Sequence, residues 1–180
     1  PDVSIEWRVG RVNIWDCSGG NCEYVLPSVC QVRGEREDAN HASMTSGIVI
    51  SRIDGIGPAG LGWNTRLIII KASVNTLGKA IRLAVDKGAK VISLSIGTLK
   101  EGAELRQAIT YAINNNVVIV SAAGNDFTSR ADIPNKFKSI IKVAGVTRFV
   151  SDISHPTSLE WWWTGAFFSS APYSNYGKFP

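Results

Sequence analysis

Short, nearly continuous apolar runs constrain the fold of this chain more than any other feature. They span Leu67 to Lys71, Val91 to Ile96 and Val117 to Ala122, and each is rich in β-branched residues. Between them lie segments with helical spacing of apolar residues, Leu77 to Val85 and Ala103 to Asn115. Strands that are apolar on both faces and alternate with helices are typical of a parallel sheet covered on both sides. The sequence therefore predicts an α/β fold with three layers, α/β/α, and a mostly parallel sheet.

The remaining elements follow from local signals. Apolar runs predict further strands at Val12 to Asp16 and Ile140 to Val146, and a short one at Tyr24 to Leu26. A helix is expected from His41 to Ser51, and Asn75 is expected to cap the helix that begins at Leu77.

Polar or glycine-rich residues come at or just after three strand ends: Asp16, Ile96-Gly97 and Gly124-Asn125. Ligand sites of parallel sheets lie at the carboxyl ends of strands, so these residues are candidates for one site. His41, one of two histidines, begins a predicted helix. Taken singly, each signal also fits a structural role: a turn aspartate, a structural histidine, an ordinary strand-to-loop turn.

Together and in this order, the segments resemble the subtilase family of serine proteases. Val12 to Asp16 resembles the strand that ends in the catalytic aspartate, and His41 to Gly47 resembles the segment that carries the catalytic histidine. Val91 to Gly97 resembles a strand of the substrate cleft, and Val117 to Asp126 resembles the strand that ends in Ala-Ala-Gly-Asn. Further likenesses are Gly57 to Leu67, Ile140 to Thr147 and Tyr173-Ser-Asn-Tyr-Gly.

The resemblance implies a role for each matching residue. Asp16 would orient the imidazole of His41, which would act as general base and then as general acid. Asn125 would donate a hydrogen bond to the oxyanion. The substrate peptide would be bound by two segments, Ser95-Ile96-Gly97 and Ala122-Ala123-Gly124, through strand addition.

The chain departs from the family pattern at several points. The nucleophile of the family sits in a Gly-Thr-Ser segment after Ser-Asn-Tyr-Gly, and no Gly-Thr-Ser occurs in this sequence. We therefore expect residues 1–180 to be a single catalytic domain that is incomplete at its C-terminus. Asp16-Cys17-Ser18-Gly19 is one residue longer than the usual Asp-Ser-Gly, and Ala42 replaces a glycine. Residues 151–172 look like an aromatic-rich insertion, expected at the periphery of the fold.

These features predict a serine endopeptidase domain with an Asp-His-Ser triad whose serine lies outside this chain, so that the chain alone is inactive. The alternative is a pseudo-protease, a subtilase fold kept for binding or regulation. A third hypothesis is a dinucleotide-binding domain, since Gly55 to Gly60 fits G-x-G-x-x-G. That motif needs a strand before it and a helix after it, whereas here a helix precedes and a strand follows.

Composition limits the partners and cofactors. The net charge is +4, with the basic residues scattered and the densest cluster at Lys136, Lys138 and Lys142. The sequence lacks a basic stripe with interleaved aromatic residues, the pattern that would indicate nucleic-acid binding. It also lacks an apolar run long enough to cross a membrane. The expected partners are a peptide or protein substrate and the missing C-terminal segment. No cofactor is required, although structural calcium is compatible with Asp126, Asp132 and Asp152. Three cysteines, Cys17, Cys22 and Cys30, allow one local disulfide or three free thiols, and leave the compartment open.

Overall fold

A computed structural model describes most of the chain in two compact units, Pro1–Ala89 and Lys90–Pro180. The residues described are 12–25, 36–51, 53, 55, 59–62, 64–100, 102–126, 128, 133–149, 161–163, 166–170, 174 and 175. The prediction of one domain over residues 1–180 stays a prediction.

The first unit holds a three-stranded sheet and two helices. Its elements are β1 (Val12–Asp16), β2 (Glu23–Val25), α1 (Arg36–Ile50), β3 (Leu67–Lys71) and α2 (Leu77–Asp86). The strand order is β2-β1-β3, with β1 parallel to β3 and antiparallel to β2. The hairpin between β1 and β2 begins directly after Asp16, so this carboxylate lies where the ladder gives way to a turn.

The second unit holds a parallel sheet, one helix and an antiparallel sheet. Its elements are β4 (Val91–Leu94), α3 (Ala103–Asn114), β5 (Val118–Ala122), β6 (Ile141–Val143), β7 (Val146–Phe149), β8 (Trp161–Trp163) and β9 (Ala166–Ser170). The orders are β4-β5-β6, all parallel, and β7-β9-β8, all antiparallel. The predicted core strands are therefore present and pair in parallel, but they belong to two separate hydrogen-bonded sheets.

The core of the second unit lies between α3 and one face of the β4-β5-β6 sheet. The helix packs against β5, and its buried residues recur at helical spacing: Leu105, Ala108, Ile109 and Ala112. Alternate residues of the strands complete this core because successive side chains of a strand point to opposite faces: Ile92, Leu94, Ile119 and Ser121 are buried. The neighbouring residues of these strands form the opposite face, which is largely exposed.

One predicted helix start and one predicted helix cap are wrong. Helix α1 begins at Arg36, five positions before His41, because Arg-Glu-Asp-Ala-Asn carries good helix formers and acidic residues that suit a helix N-terminus. Helix α2 is capped by Thr76 and not by Asn75. The Thr76 hydroxyl makes no side-chain cap bond and instead accepts a hydrogen bond from the Ser73 N–H at 3.0 Å.

The aromatic-rich segment contributes β8 and β9 to the antiparallel sheet, so the three tryptophans are not part of a parallel strand. The structure does not describe how the tryptophan side chains pack, nor does it describe residues 151–160. The peripheral placement of this segment therefore stays a prediction. None of the helices among the described residues is long and apolar enough to cross a membrane.

Candidate active site

Asp16 is the last residue of β1 and lies between charged residues on both neighbouring strands. In the ladder it faces Glu23 of β2 on one side and Lys71 of β3 on the other. The Lys71 Nζ lies 3.9 Å from Asp16 Oδ2, and both side chains are 39% exposed. An ion pair this open to water contributes little to stability, but it places a positive charge beside the carboxylate.

Two hydrogen bonds from Ser18 hold the Asp16 carboxylate. The Ser18 backbone N–H and its hydroxyl both donate to Oδ1, at 2.8 and 2.6 Å. Partial burial acts to raise the pKa of Asp16, but the Ser18 hydrogen bonds and the Lys71 charge outweigh it, so that the pKa lies below its ordinary value. Asp16 is therefore ionised at neutral pH.

A disulfide closes the turn that carries Ser18. Cys17 and Cys22 are bonded, and the Cys17 N–H donates to the Lys71 carbonyl at 2.8 Å, which extends the β1–β3 ladder by one bond. Gly20 has a φ of 98°, which glycine adopts without strain, and its N–H donates to the Cys17 carbonyl at 3.2 Å. The extra residue in Asp-Cys-Ser-Gly is thus part of a turn that the disulfide closes. Ser18, two positions after Asp16 in the sequence, contacts its carboxylate. Cys30 lies outside the described residues.

An open cleft of about 560 Å³ lies beside Asp16. The turn and β2 line it, chiefly through Ser18, Asn21, Glu23 and Tyr24. Two carboxylates, those of Asp16 and Glu23, line this cleft, and the Lys71 ammonium lies beside Asp16 and offsets part of their charge.

His41 lies in the second turn of α1 and is exposed. Its carbonyl accepts a hydrogen bond from the Thr45 hydroxyl at 3.0 Å. Among the described residues the carboxylate of Asp16 bonds to Ser18 and pairs with Lys71, and no hydrogen bond or ion pair joins it to His41. The pairing of Asp16 with His41 stays a prediction.

Asn125 follows β5 in a turn and its side chain is exposed. The three residues before it use their carbonyls within the second unit. The Ala122 carbonyl accepts from Asn135 Nδ2 at 2.7 Å, the Ala123 carbonyl from Asn175 Nδ2 at 2.9 Å, and the Gly124 carbonyl from Asn175 N–H at 2.9 Å. This segment is therefore held in place by hydrogen bonds from Asn135 and Asn175.

Ser95, Ile96 and Gly97, the other predicted binding segment, extend β4 beyond its last residue, Leu94. Ser95 and Gly97 are exposed and Ile96 is half-buried. The next residue, Thr98, forms an antiparallel bridge with Ile133, and the two exchange backbone hydrogen bonds of 3.0 and 2.9 Å. The segment is thus anchored at both ends and open between them, which suits an edge that pairs with an extended chain.

Asn135, a polar residue beside the segment Ala122 to Gly124, was not indicated as a site residue by the sequence. It is fully buried and donates to the Ala122 carbonyl, while its Oδ1 has no hydrogen-bond partner among the described residues. The preceding Ile133-Pro134 peptide is cis. No pattern in the sequence marks this asparagine, because its partner lies 13 positions away on another element.

The candidate calcium ligands do not form a site in the part of the chain that is described. Asp126 is exposed, and Asp132 and Asp152 lie outside the described residues. No group of three or more histidine, cysteine or acidic residues among the residues described is placed to hold a metal ion.

Comparison with known proteins identifies the class. The chain is 32% identical over 118 residues to a thermophilic serine proteinase of Bacillus sp. (strain AK1), a match that covers 61% of this chain and 29% of that protein. It is 41% identical over 68 residues to thermitase of Thermoactinomyces vulgaris, covering 38% of this chain and 24% of thermitase. The fold is similar to that of sphericase, with a TM-score of 0.66 and 20% identity over 93% of this chain and 53% of sphericase.

The structural likeness shows a subtilisin-like α/β fold. The model of the subtilase family matches residues 28–179, and the chain belongs to that family. The match includes His41 and Asn125, whereas Asp16 lies before it. The chain spans less than a third of the length of these two curated relatives and about half of the matched structure.

Proposed function

We propose that this chain is part of a serine endopeptidase with an Asp-His-Ser triad, in which Asp16 and His41 activate a serine supplied by sequence beyond residue 180. The observation that carries the proposal is the family match over residues 28–179, which includes His41 and Asn125. The lowered pKa of Asp16 supports it, because an ionised carboxylate is what the orienting role requires.

The roles follow from the chemistry of acyl transfer. The serine hydroxyl would attack the peptide carbonyl while the His41 imidazole takes its proton, and the same imidazole would then protonate the leaving amine. Asp16 would hold the imidazole and stabilise its positive form. Asn125 would donate to the oxyanion. The substrate backbone would pair with Ser95 to Gly97 and with the segment Ala122 to Gly124.

The exposed face of the β4-β5-β6 sheet supports the proposal that a further segment of the same polypeptide packs against this domain. Val91 faces Val118 across the ladder, and Ile141 faces Val120. Four residues of this face are apolar and well exposed: Val91 60%, Val118 45%, Ile141 54% and Val143 53%. Parallel sheets are covered on both faces, so an apolar face of this kind calls for a covering layer.

Labelling with a fluorophosphonate tests the proposal. Such reagents trap a serine activated by a neighbouring base, so the 180-residue chain should not be labelled. The polypeptide extended to include a Gly-Thr-Ser segment should be labelled, and His41→Ala in it should abolish labelling. Labelling of Ser43, Ser46 or another serine of the 180-residue chain would contradict the proposal.

The second candidate is a pseudo-protease that binds peptides or regulates a partner. The contacts of Asp16 favour it, because among the described residues its carboxylate bonds to Ser18 and pairs with Lys71 and not with His41. A folded, extended polypeptide that contains such a segment and still resists labelling would support this alternative over the protease.

A further inference from the structure

The carboxamide of Asn175 is buried and bonds on both of its sides. The residue is 1% exposed. Its Nδ2 donates to the Ala123 carbonyl at 2.9 Å, and its Oδ1 accepts from the N–H groups of Asp126 at 2.9 Å and Thr128 at 3.2 Å. Its backbone N–H donates to the Gly124 carbonyl at 2.9 Å. One residue therefore bonds to the turn after β5 at four points.

These four points bracket Asn125. Two precede it, at Ala123 and Gly124, and two follow it, at Asp126 and Thr128. Fixing the backbone on both sides of a residue fixes the direction of its Cα–Cβ bond, and with it the place its side chain can reach. A donor to an oxyanion must be held in place before the reaction, since its contribution depends on preorganisation.

An amide is the side chain that these partners require. The oxygen has two acceptor sites for two N–H groups, and the NH₂ supplies the donor that the Ala123 carbonyl needs. Aspartate has the acceptors without the donor, and alanine has neither.

The close approach also explains Gly124. This residue has a φ of 103°, and a Cβ there would collide with Asn175 Nδ2. Glycine thus permits both the backbone conformation and the contact.

Asn175 is itself anchored through Ser174. The Ser174 side chain is buried, and its Oγ accepts a hydrogen bond from the Gly145 N–H at 2.9 Å. The turn after β5 is therefore tied, through Asn175 and Ser174, to the residue that precedes β7. The backbone next to Asn175 is thus itself held by a hydrogen bond.

We propose that Asn175 is a positioning residue for Asn125: its carboxamide fixes the turn from which the Asn125 amide reaches the oxyanion. The proposal rests on the role of Asn125 given under the proposed function. Asn175 touches neither substrate nor reacting atoms, and its effect on catalysis passes entirely through Asn125.

A double-mutant cycle in the extended, active polypeptide tests this, with a chromogenic peptide amide as substrate. Loss of one oxyanion donor lowers kcat by roughly 10²–10³-fold, and we expect that of Asn125→Ala. Asn175→Ala should lower kcat by about 10-fold or more with little change in KM, because misplacing a catalytic group costs up to about 10²-fold. In the Asn125→Ala background, Asn175→Ala should have no further effect on kcat.

The cycle separates positioning from general stability. If Asn175 were only structural, its substitution would lower kcat by the same factor with or without Asn125, and that result would overturn the proposal. Asn114→Ala is the matched control, since Asn114 is an exposed asparagine near the end of α3 in the same unit. It should leave kcat and KM unchanged.

Amide hydrogen exchange in the 180-residue chain gives an independent reading without activity. In the unsubstituted chain the Asp126 and Thr128 amides should be protected, and Asn175→Ala should speed their exchange at least about 10-fold while Ile109 in α3 keeps its protection. Absence of protection in the unsubstituted chain overturns the proposal even if the variant fails to fold. If the amides are protected but Asn125→Ala leaves kcat unchanged, then the proposed role of Asn125 is what fails.

Discussion

Removing the disulfide beside Asp16 should lower the stability of this protein by a calculable amount. Cys17 is fully buried, with its N–H bonded to β3, whereas Cys22 is half-buried. Cys22→Ser is therefore the substitution that disturbs the folded state least. Its main effect should be on the unfolded chain, which regains the freedom that the bridge removes.

The loop length sets the magnitude. The bridged cysteines are five positions apart, so the bridge closes a loop of six residues. The loop-entropy relation gives about 2 kcal/mol at 25 °C for a loop of this size. We expect Cys22→Ser to lower the free energy of unfolding by about that much, in a background in which Cys30 is also serine so that no thiol can exchange with the bridge.

Urea unfolding followed by circular dichroism, with and without a thiol reductant, is the assay. Reductant should destabilise the bridged protein by the same amount as the substitution and should leave Cys22→Ser unchanged. If complete reduction, verified by thiol counting, leaves the stability of the bridged protein unaltered, then the loop-entropy reasoning is wrong. A loss far above 2 kcal/mol would mean that the bridge holds folded structure as well.

Three further outcomes follow from the described contacts. Ser18→Ala should raise the pKa of Asp16 in an NMR titration of its carboxyl carbon, because both the hydroxyl bond and the charge-stabilising turn geometry are weakened. The pKa of Asp16 in the folded state is below its unfolded value of about 3.9. Ionised Asp16 therefore stabilises the folded state above that pH, and this contribution is lost as the pH falls through the folded pKa. Ser18→Ala should reduce the stability that is lost on acidification. Gly124→Ala should destabilise the protein by about 2 kcal/mol or more in the same urea assay, from positive φ and from the clash with Asn175, and a neutral effect would contradict the close approach. Asn135→Ala should lower the free energy of unfolding by only about 1 kcal/mol, less than Asn175→Ala, because it removes one hydrogen bond and an oxygen that has no partner in the part of the chain that is described.

The apolar strands were the most predictable part of the fold. Val12–Asp16 and Leu67–Lys71 were predicted with the bounds that the structure has, since each begins with an apolar run after an arginine and ends at a charged residue. Val91–Leu94 ends two positions before the predicted end. The sequence pattern could not place that end, because Ser95 and Ile96 resemble the preceding strand residues in type. In the structure, however, they lie beyond the hydrogen-bonded ladder.

The candidate site was predictable as a set of strand-end residues, but its supporting contacts were not. Ser18 contacts Asp16 from two positions away, a local geometry that the unusual Asp-Cys-Ser-Gly spacing left open. Asn175 lies 47 to 52 positions from the groups that its side chain binds, so no spacing in the sequence indicates the contact. The sequence gives residue types at strand ends, whereas long-range hydrogen bonds depend on the folded path of the chain.

The uncovered face of the β4-β5-β6 sheet has a consequence for biosynthesis. A ribosome makes the chain from its N-terminus, so the exposed valines of β4 and β5 emerge before Ile141 and Val143 of β6 are in place beside them. During that interval the valines are accessible to chaperones, to proteases and to the same face of another nascent chain. The order in which the strands are synthesised therefore affects how long this face is vulnerable to aggregation, independently of the stability of the folded sheet.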